Sequence, residues 1–109
     1  MAKPTLAQIF GANATQDAAT LTIHKADLPR LTASASNTAE SLLTGILLLV
    51  QLQLLKSNFD TNLEQSIYIE SGFPAFTFRG NNNASYRVDS LTISLAKPDT
   101  SAIIDPDDY

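Results

Sequence analysis

Residues 37–56, NTAESLLTGILLLVQLQLLK, form the one long apolar stretch of this 109-residue chain. Asn37 and Thr38 are residue types that cap helix N-termini, and Glu40 follows Asn37 at the capping-box spacing. The leucines that follow favour helix, and Lys56 suits the negative end of the helix dipole. The stretch predicts one long helix, against which the rest of the chain must pack.

This helix is apolar on two sides. At about 100° per residue, a broad face that we expect to pack on a sheet carries Leu42, Leu43, Ile46, Leu47, Leu49, Val50 and Leu54. A second side combines small residues, which admit another backbone, with leucines: Ser41, Gly45, Leu48, Leu52 and Leu55. We expect this side to bind another subunit, because exposed apolar patches usually mark interfaces. The alternative is that the N-terminal segment or the C-terminal tail covers Leu48 and Leu52.

The remaining patterns predict short elements. A capping box and Gly11 indicate a helix at residues 5–10, and the alanines of residues 11–19 permit weak helix. Alternation predicts strands at 20–25, 66–70 and 75–79, the last with Phe76 and Phe78 inward. A fourth strand at 85–96 changes register near Asp89–Ser90, which suggests a β-bulge, and it forms a hairpin with the third across the turn at 80–83.

These elements predict an α+β fold for residues 1–97, taken as a single domain. The fold has a short N-terminal helix and a small antiparallel sheet of about four strands, with the long helix packed across one face. Residues 98–109 form an acidic tail. Four of its residues are aspartates and account for the net charge of −4, since residues 1–97 hold seven acids and seven bases. Ile103 and Ile104 are an apolar pair in this tail, and we expect them to dock on the chain or on a neighbour; the alternative is a disordered tail.

The chemistry-bearing residues do not form a recognisable site. There is no cysteine, and the one histidine, His24, is expected on the exposed side of a strand. A metal site and a Ser-His-Asp triad are therefore poorly supported, and no glycine-rich phosphate motif is present. Asp60, Glu64 and Glu70 could converge, but solvated surface acids explain them better. We predict no enzyme activity, no cofactor, no metal and no small-molecule substrate.

Two further partner classes are disfavoured. The neutral body and acidic tail lack the basic surface that binds nucleic acid. The apolar run 42–55 is shorter than the roughly 20 residues of a membrane span and contains Gln51 and Gln53. The N-terminus lacks the apolar core of a signal peptide. We therefore expect no membrane association and a virion or cytoplasmic location.

Three stretches together resemble small proteins of cyanobacteria and their phages or prophages: TLAQIFGANATQDAATLTI, TAESLLTGILL and KPDTSAIIDPDDY. The resemblance covers most of the chain and carries no functional residue. It implies a virion structural component, such as a capsid-decorating protein or a tail or baseplate component. Such proteins act through repeated contacts with copies of themselves and with other structural proteins.

Three functions follow as alternatives. The first is a structural assembly subunit whose interface includes Ser41, Gly45, Leu48, Leu52, Leu55, Ile103 and Ile104. The second is a protein-binding adaptor that uses an open sheet edge or a surface containing tyrosines and arginines, namely Tyr68, Tyr86, Arg79 and Arg87. The third is a small enzyme with a loop-built carboxylate site, which predicts a polar cleft with perturbed acids.

Overall fold

The computed structural model describes residues 2–99 and 102–109 and has the expected α+β architecture. The helices are α1 (Leu6–Phe10), α2 (Ala39–Gln53) and α3 (Lys56–Thr61), with 3-10 turns at Lys25–Asp27 and Pro106–Asp108. The strands are β1 (Thr15–Gln16), β2 (Leu21–Thr22), β3 (Ile67–Ser71), β4 (Ala75–Arg79), β5 (Ala84–Val88) and β6 (Leu91–Leu95).

Local capping fixes where the helices begin. Thr5 and Gln8 form the predicted capping box of α1. Helix α2 is capped by Thr38, whose Oγ1 accepts from the Ser41 amide at 3.1 Å. Asn37 instead holds the preceding loop, accepting from the Ser34 amide and donating to the Thr32 carbonyl. The long helix therefore begins two residues later than its predicted start at residue 37.

The helical stretch bends at Leu54 and Leu55, and α3 continues from Lys56. Lys56, which we expected to end the long helix, starts this second segment. Its Nζ lies 2.6 Å from Asp60 Oδ1, and this contact raises the pKa of Lys56. The same ammonium lies over the rings of Phe59 and Tyr68, whose centroids are 4.7 Å apart. This cluster packs α3 on β3.

The first hairpin differs from the prediction for residues 11–25. Residues 15–16 pair with 21–22, where the sequence favoured weak helix followed by a longer strand. The turn is held by Asp17, whose carboxylate accepts from the Ala19 and Thr20 amides at 2.8 Å. These two donors lower the pKa of Asp17. His24 lies after the shortened strand, exposed at the start of the 3-10 turn.

The last four strands form one nested ribbon. β3 pairs with β6 and β4 pairs with β5, all antiparallel, and the described strands make three two-stranded sheets. The predicted hairpin across residues 80–83 is present. The register break lies at Asp89–Ser90, as expected, and faces Gly72–Pro74, with the Gly72 amide donating to the Ser90 carbonyl at 2.8 Å. The break divides the ribbon where the sequence suggested one sheet of about four strands.

The core is small and lies between the helices and β3. The buried apolar side chains are Leu28, Leu54 and Ile69, and none is completely inaccessible. The Leu54 carbonyl accepts from the Ile69 amide at 2.8 Å, which joins the end of α2 to β3. Gln65 is also buried there and donates to the Leu55 and Ile67 carbonyls. Few side chains therefore hold the helices on the ribbon.

Candidate functional site

The outer half of the ribbon is the most exposed part of the fold. We call residues 73–88 the arm; it comprises β4, β5, their turn and the Phe73–Pro74 link. With the exception of Ala84, every one of these residues is exposed. Phe73 is 96% exposed, and Phe76 and Phe78 are each 68% exposed. The prediction that Phe76 and Phe78 point inward is wrong, because no other layer covers either side of the arm.

The register assigns the arm two different faces. Phe76 lies opposite Arg87 and Phe78 opposite Ser85, so these four side chains share one face. Tyr86 and Val88 lie on the other face, where the Arg79 guanidinium sits 5.0 Å from the centre of the Tyr86 ring. Arg87 Nε also contacts Asp89 Oδ1 at 3.0 Å. The arm thus presents aromatic rings and arginines, which are the residue types enriched at interface hot spots.

Helix α2 and the bend that follows it carry the second candidate surface, which we call the helix stripe: Leu48, Leu52 and Leu55. Leu52 is 68% exposed and Leu55 42% exposed, whereas Leu48 is half-buried. Residues 29–30 of the same chain border this stripe but leave Leu52 open. At this exposure Leu52 is covered neither by α1 nor by the described part of the tail, residues 98–99 and 102–109.

The small residues of the predicted interface have different surroundings. Gly45 is buried, and a Cβ built on it would lie 3.1 Å from the Leu28 Cβ. The close approach that Gly45 permits is therefore made by the chain's own loop. Ser41 is exposed one turn earlier. Five residues of this helical stretch were proposed for the interface. Ser41, Leu52 and Leu55 are accessible, Leu48 is partly accessible, and Gly45 is buried.

We expect Gly45→Val to lower the free energy of unfolding by about 1–3 kcal/mol, because the added methyl groups must displace Leu28 from a tight contact. Ser41→Ala, on the same side of α2 but exposed, should change the stability by less than about 0.5 kcal/mol. Urea denaturation of the two variants measures the difference. Equal stability of the two variants would show that the loop at residue 28 moves aside at no cost in free energy.

The tail folds back through residues other than the predicted ones. Lys97 Nζ contacts the Ile103 carbonyl and lies 2.9 Å from Asp108 Oδ2. Tyr109 is half-buried and lies beside α1 and the start of β3, near Phe10, Leu54 and Ile67. Ile103 and Ile104, the predicted anchors, are 72% and 71% exposed. The tail is thus held by Lys97 and Tyr109, and it presents both isoleucine side chains to solvent.

An open cleft of about 800 Å³ separates α2 from the break in the ribbon. Gln51 Nε2 bridges it to Ser71 Oγ at 2.9 Å. Its acids are Glu40 and Asp89, and Asp89 is paired with Arg87. Among residues 2–99 and 102–109, no three histidine or acidic side chains lie close enough to hold a metal ion.

No protein-family model, curated protein or solved structure matches this chain. Within the described residues, one helical stretch, Ala39–Thr61, is long and apolar enough to cross a membrane by length and composition, with 17% of its most apolar window buried. Core helices of soluble proteins can meet the same criterion, so this is weak evidence of a span. The expectation of no membrane contact stays a prediction.

The arm phenylalanines are the surface residues that the sequence did not reveal. Their alternation with small and polar residues is the pattern of a half-buried strand, so they were assigned to the core. The sequence signal that could have revealed their exposure is the set of strand-breaking residues on both sides of the hairpin. Gly72 and Pro74 precede β4, and Asp89–Ser90 follows β5, the strand paired with it. Both sides of the ribbon are therefore interrupted at the same level, and the outer pair of strands extends beyond the helix layer.

Proposed function

We propose that this protein is a non-enzymatic structural subunit of an assembly, in the class of phage virion components such as capsid-decorating proteins. Its partners are copies of itself and another structural protein, and its location is the virion. It needs no cofactor or substrate and contacts neither nucleic acid nor membrane. The virion class rests on the sequence resemblance, and the assembly role rests on the surface of the chain.

The observation that carries the assembly role is the excess of exposed surface. The chain exposes 8155 Å², whereas a folded monomer of 11.7 kDa exposes roughly 5,900 Å². Its radius of gyration of 16.7 Å also exceeds the roughly 13 Å expected for a compact domain of this length. An excess of about 2,300 Å² is comparable to the area that large protein interfaces bury. Association would supply the apolar burial that the small core lacks.

A protein-binding adaptor is the second candidate. The face of the arm that contains Arg79 and Tyr86 favours it, since an exposed two-stranded ribbon can bind a partner through side chains and through free strand edges. An adaptor would be monomeric at high concentration. A tail or baseplate component would have the same structural function at a different place in the virion.

We expect the wild-type protein to form a defined oligomer and Leu52→Asp to raise its dissociation constant at least tenfold. Leu52 is 68% exposed, so a carboxylate there costs little in the isolated chain but is desolvated in an interface. Size-exclusion chromatography with light scattering across a concentration series measures both masses. Leu63→Asp is the matched control, because Leu63 is 88% exposed and lies outside the helix stripe.

An unchanged mass for Leu52→Asp would reject the helix stripe as an interface. A wild-type protein that stays monomeric over the whole series would reject self-assembly and favour the adaptor. Equal dissociation of the Leu63→Asp control would mean that added negative charge, and not the position of Leu52, weakens association.

A further inference from the structure

We propose that the arm of one subunit docks on the tail of a second copy of this chain, so that subunits associate head to tail. The inference rests on the proposed assembly function and specifies which surfaces meet. It is carried by complementary charge, complementary apolar side chains and the area available.

The charges of the two segments are opposite. Residues 73–88 contain one arginine on each face of the arm, Arg79 and Arg87, and no acid, and Arg87 contacts Asp89 just beyond the segment. Residues 98–109 contain four aspartates and no lysine or arginine. Lys97 engages Asp108, whereas Asp99 and Asp107 are exposed in the tail. Oppositely charged patches attract over about 8 Å at physiological ionic strength and fix the orientation of the partners.

Both segments also expose apolar side chains next to their charges. Phe76 and Phe78 share the arm face with Arg87, and Ile103 and Ile104 stand beside Asp105 in the tail. Arg87 is held by Asp89, and the tail is held by the contacts of Lys97 with Ile103 and Asp108. Such preorganisation lowers the entropy that binding would otherwise cost.

Within one chain the described tail leaves the arm uncovered, because every arm residue except Ala84 is exposed. The tail lies beside Ile67, where β3 begins. The arm ends at residues 79–84, and twelve residues of largely extended chain, about 40 Å along the strand, separate Ile67 from Arg79. The tip of the arm is therefore separated along the ribbon from the place where its own tail lies, and it is accessible to the tail of a neighbour.

The excess surface agrees with this arrangement. In a head-to-tail contact each subunit uses two different patches: its arm contacts one neighbour, and its tail contacts another. The excess of about 2,300 Å² relative to a compact monomer is larger than two patches of the roughly 800 Å² that each partner buries in a standard interface. Such contacts close into a ring or continue as a filament, depending on the rotation between neighbours.

Charge reversal with mixing tests the proposal in the full-length protein. The arm variant is Arg79→Glu/Arg87→Glu, and the tail variant is Asp99→Lys/Asp105→Lys/Asp107→Lys, which leaves Asp108 as the one remaining aspartate of the tail and makes the tail net positive. Each variant alone carries arm and tail of the same sign, so we expect at least a tenfold rise in its dissociation constant for self-association. In an equimolar mixture each arm meets a tail of opposite sign, and we expect light scattering to recover the wild-type mass with the two variants in 1:1 ratio.

Glu40→Lys/Glu64→Lys/Glu70→Lys is the matched control for the tail variant, because it changes the net charge equally at exposed positions outside both segments. On its own this control should assemble as the wild type does, because its arm and tail keep opposite signs. Circular dichroism of each variant verifies its fold, and restored assembly on mixing would itself require folded partners.

The outcomes separate this inference from the proposed function. If the wild type assembles and the arm variant assembles equally well, the arm is not an interface, while the assembly role stands. If both variants dissociate and their mixture stays dissociated, the tail is not the partner of the arm. A wild type that remains monomeric overturns both proposals.

Discussion

Replacing residues 73–89 with Asn-Gly will leave a folded protein that no longer assembles. The Gly72 amide already bonds the Ser90 carbonyl at 2.8 Å, so these two residues can flank a two-residue hairpin turn, for which Asn-Gly is favoured. The buried apolar side chains Leu28, Leu54 and Ile69 all lie outside the deleted segment. We expect the stability of the isolated subunit to change by less than about 1 kcal/mol, because an exposed two-stranded hairpin is marginally stable by itself.

Light scattering measures the loss of assembly, and urea denaturation measures whether the fold is retained. Phe76→Ser/Phe78→Ser is the finer variant, since it keeps the arm and removes its apolar face; it should also dissociate. Leu63→Ser removes an apolar side chain elsewhere that is even more exposed, at 88%, and should assemble as the wild type does. An arm-deleted protein that still assembles would assign the interface to the helix stripe alone.

Ile69→Ala will produce the largest loss of stability among single apolar truncations. Ile69 is 3% exposed, and it joins β3 to the bend after α2 through the bond from its amide to the Leu54 carbonyl. Truncation of a buried isoleucine costs about 2–5 kcal/mol, which is a large part of the 5–15 kcal/mol typical of a folded domain. Because the core is so small, we expect a substantial unfolded fraction at 37 °C. Urea denaturation, followed by circular dichroism in dilute protein, measures the effect.

Ile93→Ala is the matched control for this prediction. Ile93 pairs directly with Ile69 on the same face of the ribbon, but 47% of it is exposed. Its truncation should cost less than half as much. Equal losses for the two variants would mean that β6 is as well packed as β3 and that the core extends across both strands.

The sequence predicted the elements whose causes are local. Thr5 and Gln8 form their capping box within four residues, and the turn at 80–83 requires residues that tolerate left-handed backbone, such as Asn83 with φ of 50°. The register break at Asp89–Ser90 was visible as a change in the alternation of apolar residues. Each of these signals lies inside the element that it defines.

Strand partners and burial were less accessible, because they depend on distant residues. Alternation assigned Phe76 and Phe78 to one face but could not reveal that nothing covers that face. The spacing of Gly45 indicated a close approach on α2 but not that Leu28 makes it. Residues 11–19 were ambiguous because their alanines favour helix, while the turn at Asp17 and the pairing with Leu21 and Thr22 favour strand. Tertiary pairing overrides such weak local preference.

The nested pairing of the ribbon also determines the order in which the chain can close. Arg79 pairs with Ala84 across a short loop, whereas Ile67 pairs with Leu95 twenty-eight positions away. If pairing proceeds from the turn outward, each new pair closes only a small additional loop. The entropic cost of bringing β3 and β6 together is then divided over many small steps. The inner pairs form first but are stabilised last, because the burial that holds them comes only when β3 reaches α2. The ends of the ribbon thus provide the stability on which its tip depends.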